Sequence, residues 1–258
     1  MRNTNKKTEK NNFTHFGSKS VPISQKTRLV KEVFESVAKN YDLMNDLMSL
    51  GLHRKWKDSL VKKIYFRENL KILDVASGTG DIINRISKTS YIKKINLELL
   101  SLDLTHSMIK IGRDRIINRG LIGNINWINS DATSLPFKDH SIDVYVIAFG
   151  IRNITNPEIA LHEAFRVLKP GGQFLCLEFS KVDPFYRKIY DLYSFKFIPN
   201  LGRLISNDKN SYQYLVESIR KFPNQKEFSQ SLSKIGFSKV KFRNLNWGIA
   251  AIHSCWKL

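Results

Sequence analysis

Residues 71–81, Lys-Ile-Leu-Asp-Val-Ala-Ser-Gly-Thr-Gly-Asp, constrain the fold most: an apolar run ending in Asp74 passes into Gly78-x-Gly80, the pattern of a buried strand turning through a glycine loop into a helix. A dinucleotide fingerprint would continue Gly-x-x-Gly, and Ile83 stands at that third glycine. A bulky residue there argues against pyrophosphate on the helix start. The carboxylate of Asp74 suits the cationic methionine end of S-adenosylmethionine better than a diphosphate. Gly-x-Gly is also an ordinary tight turn, so the loop needs support from elsewhere in the chain.

That support begins with the pattern downstream. Strand, helix and strand signals alternate as strand 71–76, helix 80–89, strand 97–103, helix 106–118, strand 125–129, strand 142–149, helix 156–168 and strand 172–179. This is an α/β chain with a doubly wound, mostly parallel sheet. Pro170-Gly171-Gly172 is a tight turn feeding the fifth strand. A helix at 225–235, capped by Gly236, and strands 237–244 and 248–257 bring the sheet to seven strands. Ahead of the sheet, Leu29, Val30, Val33, Phe34 and Val37 recur at helical spacing within a helix over 25–39, and shorter helices follow around 43–49 and 53–64. The stretch 183–222 interrupts the alternation and is rich in aromatics, so it reads as a helical lid over the sheet. The domain plan is a basic disordered tail over 1–13 and one domain over 14–258, with N-terminal helices at 25–64.

The chain has 258 residues, enough for one large α/β domain. Its net charge of +19 suggests phosphate-bearing partners, but the lysines are spread from end to end alongside many Asn and Ile, a composition bias rather than a nucleic-acid patch. A basic surface also suits an anionic membrane. The longest apolar run, Val144–Ile151, has the length of a buried strand. Cys176 and Cys255 match no metal or redox spacing and read as buried thiols, and no metal is expected.

Asp103 ends the strand 97–103 near the offset at which a carboxylate takes the ribose hydroxyls, or it caps the following helix. Asp131-Ala132 follows strand 125–129, where a carboxylate can accept the adenine amino hydrogen and a backbone N–H can meet a ring nitrogen. A turn is the alternative. Asp74, Asp103 and Asp131 at the carboxyl ends of three consecutive strands are harder to dismiss together, because ligands of open α/β sheets bind along that edge.

Two long blocks carry a family resemblance. Residues 41–56, Tyr-Asp-Leu-Met-Asn-Asp-Leu-Met-Ser-Leu-Gly-Leu-His-Arg-Lys-Trp, and residues 166–180, Arg-Val-Leu-Lys-Pro-Gly-Gly-Gln-Phe-Leu-Cys-Leu-Glu-Phe-Ser, resemble the two signatures of the ubiquinone/menaquinone biosynthesis C-methyltransferases, the UbiE family of class I methyltransferases. The likeness extends through Thr14-His15-Phe16-Gly17, Phe149-Gly150-Ile151-Arg152-Asn153 and Tyr212-x-Tyr214 to the chain's end. It implies a Rossmann-like fold with an antiparallel last strand and S-adenosylmethionine as methyl donor. By position, the family's cofactor contacts fall on Thr79, Asp103, Asp131 and Ala132, and the loop pattern itself adds Asp74, Gly78 and Gly80 as cofactor-binding candidates. At Ala148 many members carry Ser, so only backbone contact is available there.

The implied acceptor is a membrane-borne polyprenyl quinol, a benzoquinol or a demethylmenaquinol, methylated on a ring carbon. Deprotonating the quinol makes its ortho carbon carbanion-like, so the protein must align it and help remove a proton. His53, Tyr41 and Arg152 are the candidates: His53 as base, Arg152 as phenolate stabiliser. Against these stand a capping or packing histidine, a half-buried aromatic and a salt bridge to a strand-end carboxylate. Within 183–222, Phe197, Ile198, Pro199, Leu201 and Leu204 are candidate lipid-facing residues, with hairpin packing as the other reading. The resemblance further implies a cytoplasmic enzyme in transient contact with the membrane surface (the mitochondrial matrix face in a eukaryote) and with other quinone-biosynthesis enzymes. It admits a homodimer and expects no nucleic-acid partner. A methyltransferase of another small molecule and a non-catalytic scaffold of the quinone pathway remain alternatives.

Overall fold

A computed structural model describes residues 13–118, 125–186, 192 and 209–258. The described residues open with an antiparallel hairpin of β1 (Phe13–Phe16) and β2 (Lys19–Pro22), then helices α1 (Ile23–Val37), α2 (Tyr41–Ser49) and α3 (Leu52–Val61). Next come β3 (Leu70–Val75), α4 (Asp81–Lys93), β4 (Leu97–Asp103), α5 (His106–Ile117), β5 (Ile125–Asn129) and β6 (Ile142–Ala148). The chain finishes with α6 (Pro157–Val167), β7 (Leu168–Phe179), α7 (Lys209–Lys221), α8 (Gln225–Ile235), β8 (Ser238–Leu245) and β9 (Ala250–Trp256).

Seven strands form one sheet in the order β5-β4-β3-β6-β7-β9-β8, and only β9 runs antiparallel to its neighbours. The order reverses direction at β3, which pairs with β4 on one side and β6 on the other. Such a switch point leaves a crevice beyond the carboxyl ends of the strands. Alternate residues of the central strands feed two cores. Ile72, Leu99, Val146 and Leu175 pack with Trp56, Ile83 and Tyr212, whereas Leu73, Leu100, Tyr145 and Phe174 pack with Ala164, Phe228 and Leu232. Burial on both faces accounts for the near-continuous apolar runs of these strands.

The structure departs from the sequence reading in several places, among them the helix expected over 80–89, which runs on to Lys93. Phe13, placed in the tail, starts β1, and the hairpin went unforeseen although Gly17-Ser18 is a two-residue turn. Phe16 stacks on Tyr214 with ring centroids 4.2 Å apart, and Ser18 N–H donates to Glu217 Oε2 at 2.7 Å, so the hairpin is pinned to α7. The strand expected to start at 172 starts at Leu168. Leu168 pairs with Ile142 and Gln173 with Val144, so the Pro-Gly-Gly turn is a bulge inside β7. The helix expected over 53–64 ends at Val61. Most of the expected insertion 183–222 falls on residues 187–191 and 193–208, so Phe197, Ile198, Pro199, Leu201 and Leu204 lie outside the described residues, as does the tail over 1–12.

Candidate active site

Beyond β3, β4, β5 and β6 lies a cavity of about 290 Å³. Its floor is made of the post-strand turns: Ala76 and Gly78, then Asp103 to Thr105, Asp131 to Thr133, and Phe149, Gly150 and Asn153. Its roof is α1, through Thr27, Val30 and Phe34, with Tyr41 of α2.

Ala76 (φ 51°) and Phe149 (φ 58°) take left-handed conformations just past the two switch-point strands. Such backbone is disfavoured for residues bearing a Cβ and persists where surrounding structure enforces it. Gly80 (φ 73°) and Gly112 make room for the Trp127 ring, which would lie 2.6 and 2.9 Å from an added Cβ at the two positions. The second glycine of the loop is therefore a packing requirement, with Trp127 of β5 wedged between loop and α5. Ile83, where a third glycine would sit, is fully buried in the core.

Asp103 is nine-tenths buried. Its Oδ2 accepts from Gly78 N–H at 2.7 Å and its Oδ1 from Thr105 N–H at 2.8 Å. Burial raises its pKa, and these backbone N–H groups pull it back toward the ionised form. The carboxylate ties the glycine loop to β4 and lines the cavity with lone pairs to spare, and its bonds stop at Thr105, so the first turn of α5 at His106 receives no side-chain cap from it. Asp131 Oδ1 accepts from both N–H and O–H of Thr133 at 2.8 Å, holding the carboxylate in the cavity wall beside Ala132.

Asp74 stands elsewhere. It is buried behind the loop, accepts from the backbone N–H of Ile83, and does not line the cavity; Oδ2 has no partner among the described residues. Burial pushes its pKa well up. The Thr79 hydroxyl faces Arg115 at 3.5 Å, and Thr79, Gly80 and Ala148 are not among the cavity-lining residues.

The three catalytic candidates separate in space, and only Tyr41 lines the cavity. A Cβ added at Gly78 would stand 3.7 Å from its ring, and burial pushes its pKa up to about 12, so the phenol keeps its proton. Arg152 is buried and paired with Glu178 of β7 at 2.7 Å, while the same nitrogen donates to Phe149 O at 2.7 Å. Its side chain faces a neighbouring groove rather than the cavity. His53 sits on the far side of the glycine loop, in a polar cleft with Asp42, Asp81 and Arg115. It bonds Asp46 Oδ1 through Nε2 at 2.8 Å, and burial lowers its pKa.

Residues the sequence reading missed include Asn153, which lines the cavity and accepts from Tyr214 O–H at 3.1 Å. They also include the face of α1 that closes the cavity. Thr27 and Thr155 hydroxyls meet at 2.6 Å, and the buried Lys26 donates to Ile154 O at 3.3 Å. A Thr 128 residues further along the chain cannot be paired with Thr27 from spacing alone. Among the described residues, no three His, Cys, Asp or Glu side chains are placed to share a metal ion.

Strand order, glycine loop and acidic edge define a class I S-adenosylmethionine-dependent methyltransferase fold. A methyltransferase of this kind from Aquifex aeolicus superposes with TM-score 0.59 at 17% identity over 86% of this chain and 98% of its own, and one from Thermotoga maritima with 0.58 at 20% identity over 89% and 100%. Residues 22–257 match the model of the ubiE/COQ5 methyltransferase family, and the chain belongs to that family. A relative from Roseobacter denitrificans, named ubiquinone/menaquinone biosynthesis C-methyltransferase UbiE, is 49% identical over 97% of this chain and 99% of its own length. The protein of the same name from Dinoroseobacter shibae is 51% identical over 95% and 97%.

Proposed function

We propose that this chain transfers the methyl group of S-adenosylmethionine to a ring carbon of a polyprenylated quinol, either 2-polyprenyl-6-methoxy-1,4-benzoquinol or demethylmenaquinol. The observation that carries the reading is the pairing of Asp103 and Asp131 on one cavity wall with the glycine loop, in a chain about half identical to named C-methyltransferases along nearly its whole length.

The donor set fits an adenosyl group. Asp103 accepts from ribose hydroxyls, Asp131 from the adenine amino group, and Gly78 lets the chain approach the methionine end without a side chain in the way. When bound, the cofactor supplies an electrophilic methyl group on a sulfonium. Tyr41, still protonated, offers its O–H to the acceptor's ring oxygen; it is a donor, not the base. Arg152 acts from behind: its bonds to Glu178 and Phe149 O fix the 149–153 turn that forms the cavity floor. The roof residues Val30 and Phe34 keep water from the reacting atoms. No helix among the described residues is long and apolar enough to cross a membrane.

The test supplies the purified chain with methyl-labelled S-adenosylmethionine and each demethylated quinol under reducing conditions. Label in a quinol ring carbon is expected; its absence from both quinols refutes the reading and leaves another small-molecule acceptor. Absence of cofactor binding in a calorimeter would instead favour the scaffold.

A further inference from the structure

We propose that Phe185, Tyr186 and Trp247 form a membrane-insertion surface that seats the cavity-bearing edge of the sheet on an anionic lipid bilayer. The inference rests on the membrane-borne acceptor of the proposed function and names the surface that reaches it. Phe185 is 83% and Trp247 58% exposed, yet the three rings are organised. Phe185 and Tyr186 meet edge to face at 4.9 Å, and Tyr186 and Trp247 lie 4.7 Å apart. Exposed aromatics held together at one spot are a cost in water and an asset at a lipid headgroup layer, where Trp and Tyr rings partition.

Hydrogen bonds tie the backbone beneath the rings. Asp183 N–H donates to Trp247 O at 2.9 Å, Ser180 N–H to Ile249 O at 3.0 Å, and Phe185 N–H to Asp183 Oδ1 at 3.0 Å. Asn246 and Trp247 both take left-handed conformations (φ 45° and 56°). Two successive strained residues without glycine's freedom mark a turn enforced by its surroundings. The Asn246 side chain accepts from buried Trp56 Nε1–H at 2.6 Å. Trp56 in turn packs against Phe149, which lines the cavity, with centroids 6.3 Å apart. The surface trio and the cavity therefore lie at the same end of the sheet, joined through two residues.

Charge points to lipid as the occupant. The strand leading into this turn, β8, is the sheet's edge and exposes Lys239, Lys241 and Arg243, on a chain of net charge +19. Aromatic rings at the end of a strand that exposes cations along its length match an anionic headgroup layer over an apolar interior, whereas a second copy of so basic a chain would be repelled.

Co-sedimentation of the full chain with phosphatidylcholine vesicles, with and without phosphatidylglycerol, tests this. Binding is expected with the anionic lipid, and the Phe185→Ser/Trp247→Ser double variant should lose about tenfold in partitioning. Its calorimetric affinity for S-adenosylhomocysteine should be unchanged, which certifies the fold. Brominated lipid should quench tryptophan fluorescence in the native chain and far less in the variant. Equal partitioning of the two proteins overturns the proposal, as does a concentration-dependent dimer that only the variant loses. The vesicle assay contains no quinol, so failure of the acceptor assignment and failure of this surface appear in different measurements.

Discussion

At the scale of single residues, the Arg152–Glu178 pair is the most consequential finding. Both side chains are almost fully buried, at 3% and 1% exposure, and Arg152 also lies over the Phe179 ring at 5.3 Å. Removing one member of a buried ion pair strands the other, so Arg152→Ala should destabilise the chain by about 3–5 kcal/mol, read as a lowered urea midpoint. Any loss of turnover in that variant must therefore be measured per folded molecule. Asp103→Ala should lower cofactor affinity about a hundredfold in a calorimeter, since it removes charge-assisted acceptors and frees the glycine loop. Gly112→Ala would gain roughly 1 kcal/mol from helix propensity alone. Here the added Cβ meets Trp127 at 2.9 Å and the Thr79 backbone at 3.0 Å, so a net loss of about 1–3 kcal/mol is expected. A stabilised variant would show that the wedge is not tight.

Among the elements, α1 decides access. It roofs the cavity yet is held at the rim by the Thr27–Thr155 and Lys26–Ile154 bonds, while Val30 and Val33 anchor its apolar stripe in the core. Cofactor binding should therefore slow amide exchange across Ile23–Val37 more than across α8, which touches no part of the cavity. Equal slowing in both helices would contradict a roof role. Helix α8 makes the contrasting case, with its start written locally. Asn224 accepts from Lys226 and Glu227 N–H, and Glu227 reaches back to Asn224 N–H at 2.8 Å. Asn224→Ala should cost about 1 kcal/mol in thermal or urea unfolding without altering turnover.

Acid stability is a property of the whole molecule. His253 of β9 is buried edge-on against Phe228, and its Nε2–H donates to Gln225 O at 3.1 Å; burial pushes its pKa from 6.5 to about 4. The unfolded chain takes up that proton first. The stability gained by keeping this histidine neutral is fully present above about pH 6.5 and is lost as pH falls toward about 4, amounting to roughly 3 kcal/mol. Asp46, held at about 2 chiefly by Arg54, gives a second stage present above about pH 3.8 and lost toward about 2. Asp81 behaves alike: burial opposes its ionisation, but Lys57 and Arg85 overcome that. Urea midpoints against pH should thus carry two declining contributions, the upper one shared by His53 and opposed by the raised carboxyls of Asp74 and Asp103, and His253→Gln should flatten the upper one. An unchanged upper decline would exclude His253 as its source.

The sequence by itself determined the order and type of the sheet elements. Periodicity and turn chemistry act over a few residues, which is why β4, β5 and α8 fall where their patterns put them. It also placed Asp103 and Asp131 at strand ends, and a strand end in a doubly wound sheet is already an address. What the sequence could not carry was direction. Tyr41, His53 and Arg152 looked equivalent, yet packing turned one into the cavity, one into a separate cleft and one onto Glu178. Asp74 went behind the loop because the face of β3 it occupies is covered by α4. The Thr27–Thr155 contact, the hairpin on α7 and the Trp127 wedge join residues far apart in the chain. Only the tertiary structure decided these, because a side chain's surroundings are set by which distant surfaces the fold brings against it, and local sequence holds no record of that.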